Sequence, residues 1–131
     1  MPEHPHRKSS RDIAVEILDH SIAVRPTGEI DIDTAPTLQL ALAEALTHAS
    51  PARPVVIDCS SLTFCDSSAL NALLAARRIA QPTGTAIRLA APNLQLHRLL
   101  ELTGTLALFP LDQDPPADGR RSQWCGDGLP Q

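Results

Sequence analysis

The first part of the chain shows a strand-like alternation of hydrophobic and polar positions. Apolar residues recur at every second position over one stretch, at Ile13, Val15 and Ile17. A second apolar run covers 22–24, and the polar residues 19–21 between the two runs predict a turn. We therefore expect an antiparallel pair of strands. The second strand is expected to be interrupted at 25–27 and to finish over 28–31.

Three later segments show the helical period instead, with apolar residues at i, i+3 and i+4. These residues are Leu38, Ala41, Leu42, Ala45 and Leu46 in the first segment, Leu70, Leu73 and Leu74 in the second, and Leu96, Leu99 and Leu100 in the third. Thr34 is predicted to cap the first helix. The serines at 67–68 are predicted to cap the second helix, which then begins at Ala69. Gly104 is predicted to end the third.

Apolar runs between these helices predict the remaining strands. Val55, Val56 and Ile57 are consecutive and β-branched, which indicates a strand buried on both faces. A loop is expected from Asp58 to Asp66, a further strand over 85–91, and a short last strand over 106–109. The order β-β-α-β-α-β-α predicts an α/β fold with a central mixed sheet of four to five strands covered by helices.

Length and composition bound the class of protein. At 131 residues the chain is expected to form one domain over 12–112, with tails at 1–11 and 113–131 that are rich in proline and polar residues. Trp124 and Cys125 lie in the second tail, where Trp124 either docks on the domain or, as we expect, stays free. The net charge of -4 and the lack of a basic run argue against a nucleic-acid partner.

No stretch of about 18 apolar residues and no signal-peptide core occur, so we expect a cytoplasmic protein with no membrane contact. Three cysteines in such a chain indicate reduced thiols. Cys59 and Cys65 have no histidines at zinc spacing nearby, so they are expected to be small buried hydrophobes, and no metal site is predicted.

Four segments of the chain together resemble a known family. They are the stretch Gly-Glu-Ile-Asp at 28–31, the strand ending in Ile-Asp at 57–58, the motif Phe-Cys-Asp-Ser-Ser-Ala-Leu at 64–70, and Ile-Arg-Leu at 87–89. The chain resembles a STAS domain over roughly 12–112. More narrowly, it is similar to the bacterial anti-sigma factor antagonists, or anti-anti-sigma factors.

The resemblance implies a phosphorylation switch. In that family the second serine of the motif, here Ser68, is phosphorylated by the partner anti-sigma factor, a serine kinase of the histidine-kinase-like ATPase type. The family usually has glycine after the serines, whereas this chain has Ala69, a good helix former. Asp31, Asp66, Ser67 and Ser68 are expected to contact the partner. The kinase and its ATP belong to the partner, so we expect no cofactor, no catalytic residue and no enzyme activity, in a monomer or weak dimer.

Other functions are compatible with the same residues. The two serines could serve only as helix caps, and Asp58 is expected to be structural. A STAS scaffold or adaptor of a signalling or lipid-transport assembly would use the same surface without a phosphorylation cycle. A small nucleotide- or ligand-binding protein or hydrolase would instead use Asp66 and Ser68, although no histidine lies in that segment to complete a triad.

Overall fold

A mixed sheet of five strands forms the centre of the computed structural model, which describes residues 13–116. Its strands are β1 (Ala14–Ile17), β2 (Ile22–Arg25), β4 (Val55–Asp58), β6 (Ile87–Ala90) and β7 (Leu111–Asp112). A separate sheet of two strands contains β3 (Gly28–Ile30) and β5 (Leu62–Cys65). β1 and β2 are antiparallel, and β2, β4, β6 and β7 run parallel to one another. The prediction of a mixed sheet, antiparallel at its start and parallel later, is confirmed.

β4 is the central strand, as its apolar run predicts. All four of its residues are buried. Val55 lies opposite Ile22 of β2 on one side and opposite Ile87 of β6 on the other. Because the strand has a neighbour on each side and both of its faces are covered, every position tolerates an apolar side chain, and the sequence shows no alternation.

Three helices follow the strands and cover the sheet. They are α1 (Ala35–His48), α2 (Ser67–Ala80) and α3 (Leu94–Thr103). Each helix begins within a few residues of a strand's carboxyl end: α1 after β3, α2 after β5 and α3 after β6. α1 and α2 pack against each other, and α3 packs against β5. The fold therefore gathers the helix N-termini near strand ends, where open α/β sheets usually bind their partners.

The predicted helix stripes face the core. The buried members are Leu38, Ala41, Leu42 and Ala45 in α1, Leu70 and Leu73 in α2, and Leu96 and Leu100 in α3. Leu46, Leu74 and Leu99, at the edges of these stripes, are partly buried. They pack with alternate residues of the sheet, among them Ile22, Val24, Ile57 and Leu89. Each helix packs one stripe of apolar side chains against the sheet, as the 3.6-residue period of a helix requires.

Ion pairs tie neighbouring strands of the five-stranded sheet together. Arg25 of β2 donates to Glu16 of β1 at 2.9 Å and to Asp58 of β4 at 2.7 Å. Arg88 of β6 makes a two-pronged contact with Asp112 of β7, at 3.1 and 2.7 Å. Asp58 thus has the structural role expected for it, because its carboxylate joins two neighbouring strands of the parallel sheet.

The predictions for the small sheet are wrong in two respects. Residues 28–31 do not complete the second strand, since Gly28–Ile30 form the separate strand β3. Pro26 has no N–H to donate to a sheet, and Gly28 has a φ of +71°, so the chain turns away from β2 here. The predicted loop from Asp58 to Asp66 contains β5, which pairs in parallel with β3.

The end of the described chain also differs from its prediction. Residues 106–109 do not form a strand; Leu106–Leu108 make a single 3₁₀ turn, and the last strand is β7, a few residues further on. Gly104 ends α3 with a φ of +75°, as predicted. The predictions for Trp124 and Cys125, and for the greater part of both tails, fall on 1–12 and 117–131, which lie outside the described residues.

Candidate functional site

The parallel strands β3 and β5 bring two predicted site segments to one place. Ile30 lies opposite Cys65 in this pair, and the N–H of Asp66 donates to the carbonyl of Ile30 at 3.2 Å. Asp31 and Asp66 therefore leave neighbouring strands at the same end, and Ser67 starts α2 directly afterwards. The four residues predicted to contact a partner thus form one surface, which we call the Asp31–Ser68 surface.

The N-cap of α2 is Asp66, so the prediction that the two serines cap this helix is wrong. One carboxylate oxygen of Asp66 accepts from the N–H of Ser68 at 2.8 Å and from that of Ala69 at 3.4 Å. The helix begins at Ser67 rather than at Ala69. Serine and aspartate are about equally good caps, so an Asp-Ser-Ser sequence does not decide which residue takes this position.

The serines occupy the first two helical positions. Ser67 is exposed and Ser68 is half-buried, whereas Ala69 and Leu70 behind them belong to the core. Within residues 13–116 no group makes a hydrogen bond to the Ser68 hydroxyl, although its backbone N–H is held by Asp66. The hydroxyl therefore lies at the surface end of a fixed helix, where a second protein can reach it.

Asp31 organises the turn that leads into α1. Its Oδ1 accepts from the N–H groups of Asp33 at 3.0 Å and Thr34 at 3.2 Å, and from the Thr34 hydroxyl at 3.2 Å. The hydrogen bond from the Thr34 N–H, followed by the bonds from Asp33 and the Thr34 hydroxyl, lowers the pKa of Asp31 below its ordinary value. Asp31 is thus ionised and fixed in orientation.

Thr34 takes the N-cap position of α1, as predicted, but its side chain makes no capping bond to the helix. Its hydroxyl accepts from the N–H of Asp31 at 2.8 Å instead. Ile32, between the two, is exposed. The turn therefore exposes an apolar side chain at the residue that follows Asp31.

A residue that the sequence reasoning missed holds the other edge of β5. The side-chain amide of Gln95, in the first turn of α3, accepts from the N–H of Cys65 at 3.0 Å and donates to the carbonyl of the same residue at 2.7 Å. Asn93 caps α3 and also donates to the carbonyl of Leu62 at 3.2 Å. α3 thereby fixes the strand immediately before Asp66. An amide in a first turn gives no signal of such a contact in the sequence.

The two described cysteines are buried, as expected. Burial raises the pKa of Cys59 to about 12 and that of Cys65 to about 11. Both thiols therefore stay protonated near neutral pH and behave as small apolar side chains. In the part of the chain that the structure describes, no three His, Cys, Asp or Glu side chains are grouped as metal ligands would be.

No helix between residues 13 and 116 has the length and apolar character needed to cross a membrane.

Known proteins share both the sequence pattern and the fold. The family model described as "Mlab, STAS domain" matches residues 13–109. A protein of Paenibacillus polymyxa named anti-sigma F factor antagonist is 26% identical over 102 residues, which are 76% of this chain and 86% of that protein.

Two solved structures are similar to this one. An anti-sigma factor antagonist from Mycobacterium paratuberculosis is 30% identical with a TM-score of 0.64, over 85% of this chain and 91% of its own. The Bacillus cell fate determinant SpoIIAA in its phosphorylated form is 16% identical with a TM-score of 0.60, over 86% of this chain and 98% of its own. The second likeness shows the fold alone.

Proposed function

Because this chain belongs to the STAS domain family, we propose that it is an anti-sigma factor antagonist switched off by phosphorylation at Ser68. In its unphosphorylated form it binds an anti-sigma factor and thereby releases a sigma factor for transcription. The relatives from Paenibacillus and Mycobacterium, both named anti-sigma factor antagonists, support this class of function. The phosphorylated form of SpoIIAA supports a phosphorylation cycle on the same fold.

One observation carries the proposal: Ser68 lies in the first turn of α2, on the surface that also carries Asp31 and Asp66. Its hydroxyl is accessible at the end of a helix whose start is fixed by the Asp66 carboxylate. A kinase therefore reaches the hydroxyl without unfolding the domain. The same side chain stands in the middle of the surface that a partner would cover.

A phosphate at this position acts mainly on binding. It adds about -1.5 to -2 charge and three strong acceptors at neutral pH. At a helix N-terminus a negative group is tolerated by the fold, because the helix dipole favours it. Across an interface, an unfavourable charge costs several kcal/mol, and each ~1.4 kcal/mol changes affinity about tenfold. The modification thus weakens the complex far more than the fold.

The partner supplies the chemistry in this proposal. The anti-sigma factor is a serine kinase of the histidine-kinase-like ATPase type, so the ATP belongs to it, and this chain takes no cofactor and no catalytic role. Sigma factors act on transcription in the cytoplasm, so the chain is expected to act there. Asp31, Asp66 and Ser67 are proposed as contacts around Ser68.

The test is a phosphorylation assay followed by a binding assay. The full chain is incubated with ATP and each purified kinase-type anti-sigma factor of its own genome, and intact mass is measured. We expect one added phosphate in the parent and in Ser67→Ala, none in Ser68→Ala, and loss of binding after phosphorylation. Binding without any mass increase would instead identify an adaptor. Equal phosphorylation of Ser68→Ala and the parent would place the site elsewhere.

A further inference from the structure

An apolar groove of about 470 Å³ runs between α1 and α2. Its floor carries four alanines, Ala43 of α1 and Ala72, Ala75 and Ala76 of α2, beside the larger Leu42 and Leu46. Its rims carry Leu40 and Ile79, which are 74% and 63% exposed. None of the ten lining side chains is charged. Removing water from such a surface costs little free energy, and burying its apolar rims stabilises a complex.

The shape of the groove selects a helix. Alanines on the floor let another backbone approach closely, and the large side chains on the rims pack on either side of it. The lining residues cover 36–46 of α1 and 72–79 of α2, so the groove runs along about three turns of the first helix and about two turns of the second. An amphipathic helix laying its apolar face into a groove is a recurring mode of peptide recognition.

The groove is continuous with the Asp31–Ser68 surface. Ser68, Ala72, Ala75 and Ile79 fall at i, i+4, i+7 and i+11 of α2, which places them on one face of the helix. α1 and α2 also start at the same end of the molecule, because they follow the parallel strands β3 and β5. A protein that covers Ser68 therefore stands over one end of the groove.

We propose that this groove is the second contact site for the anti-sigma factor and that an amphipathic helix of that protein occupies it. The inference rests on the proposed function and specifies which kind of segment of the partner binds here. Arg78 does not line the groove, but it is exposed one residue before Ile79 near the far end of α2, and it favours a helix with an acidic residue at that end. The helix thus has an apolar stripe along the groove and a carboxylate opposite Arg78.

The test compares three residues of the groove with an exposed leucine on another helix. Leu40→Lys and Ile79→Lys place a charge on the rims, and Ala43→Arg fills the floor from an exposed position. Leu102→Lys is the control, because Leu102 is also exposed, at 84%, but lies on α3 away from the groove. Calorimetric titration measures the affinity of each unphosphorylated full chain for the anti-sigma factors used above, and thermal melts confirm that each variant is folded.

We expect each groove variant to weaken binding about tenfold or more, because each places an unpaired charge in a surface that the complex would bury. Leu102→Lys should bind as the parent does, and Arg78→Glu should bind less tightly than Arg78→Gln. Parent-like affinity of all three groove variants, with binding lost in Ser68→Asp, would overturn the groove assignment and leave the proposed function standing.

Two further outcomes also overturn the inference. A parent chain that binds none of the anti-sigma factors removes the proposed function and the groove assignment together. Light scattering of the chain alone tests the other occupant, a second copy. A dimer that Leu40→Lys dissociates would show that the groove belongs to self-association.

Discussion

Asp66 and Ser68 share the N-terminus of α2: the carboxylate of Asp66 accepts the backbone N–H of Ser68 at 2.8 Å. The helix end beneath the proposed phosphorylation site therefore already holds one negative charge. A phosphate on Ser68 would arrive next to a carboxylate that uses the same N–H groups. The fold and the switch thus meet at Asp66, whose side chain starts the helix and lies on the proposed partner surface.

Asp66→Ala should destabilise the domain by about 1 kcal/mol, because it removes the N-cap of α2. Asp66→Asn should lose much less stability, because the asparagine side-chain oxygen still accepts from the N–H groups of Ser68 and Ala69. Urea unfolding measures both free energies. Ser67→Ala, one residue further on and exposed, is the control and should stay within about 0.5 kcal/mol of the parent. Equal losses in Asp66→Ala and Asp66→Asn would show that the charge of Asp66, and not its hydrogen bonds to the helix, stabilises the start of α2.

Ser68→Ala and Ser68→Asp should both remain folded, with unfolding free energies within about 1 kcal/mol of the parent. Ser68 lies at a helix start and outside the core, so neither change disturbs packing. Their affinities for the anti-sigma factor should differ widely: Ser68→Ala should bind constitutively, and Ser68→Asp at least about tenfold more weakly. One carboxylate imitates the charge of a phosphate only in part. Similar affinities for the two variants would argue against a charge-based switch.

Much of the fold follows from patterns that depend on one segment at a time. The continuous apolar run of β4 and the 3.6-residue stripes of α1 and α3 reflect burial against large surfaces, which the sequence records directly. The glycine that ends α3 is equally local, because a φ of +75° is costly for other residues.

The parts that could not be predicted depend on distant partners. In β5, Thr63 and Phe64 are exposed, and the strand has no continuous apolar run. Its strand conformation depends on pairing with β3. The role of Gln95 likewise depends on where α3 packs. The site residues, and the closeness of Asp31 to Ser68, could be proposed from the sequence, but the pairing of β3 with β5 that brings them together could not.

The stability of the domain should fall in acid partly through Asp58. Burial raises the pKa of this group, but hydrogen bonds from the hydroxyl and N–H of Ser60 and from Arg25 outweigh it and lower the pKa below its ordinary value. A lowered pKa in the folded state contributes stability that is fully present above the unfolded value, about 3.9. That stability is lost as the pH falls through the lower folded value.

Asp58→Asn should therefore be less stable than the parent at neutral pH and should lose less further stability on acidification. Unfolding by urea at a series of pH values between about 2 and 6 measures how the unfolding free energy changes with pH. This range spans the titration of a carboxyl group. Asp19→Asn, at an exposed turn, serves as the control and should leave the curve nearly unchanged. Parallel curves for Asp58→Asn and the parent would mean that the ion pair with Arg25 contributes little.

Gln95→Leu should destabilise the domain by about 1–3 kcal/mol, because it leaves the N–H and the carbonyl of Cys65 without partners at a covered strand edge. Leucine keeps the volume and helix propensity of glutamine, so the loss reports the hydrogen bonds at 3.0 and 2.7 Å rather than packing. Gln39→Leu, at an exposed position of α1, is the matched control and should change stability little.

Hydrogen exchange adds a local measurement: the amide of Cys65 should exchange faster in Gln95→Leu. The exchange rate of the Ile57 amide, in the central strand β4, should change only as far as the global stability changes. If the Cys65 amide remains as protected as in the parent, the Gln95 side chain does not hold β5 in place.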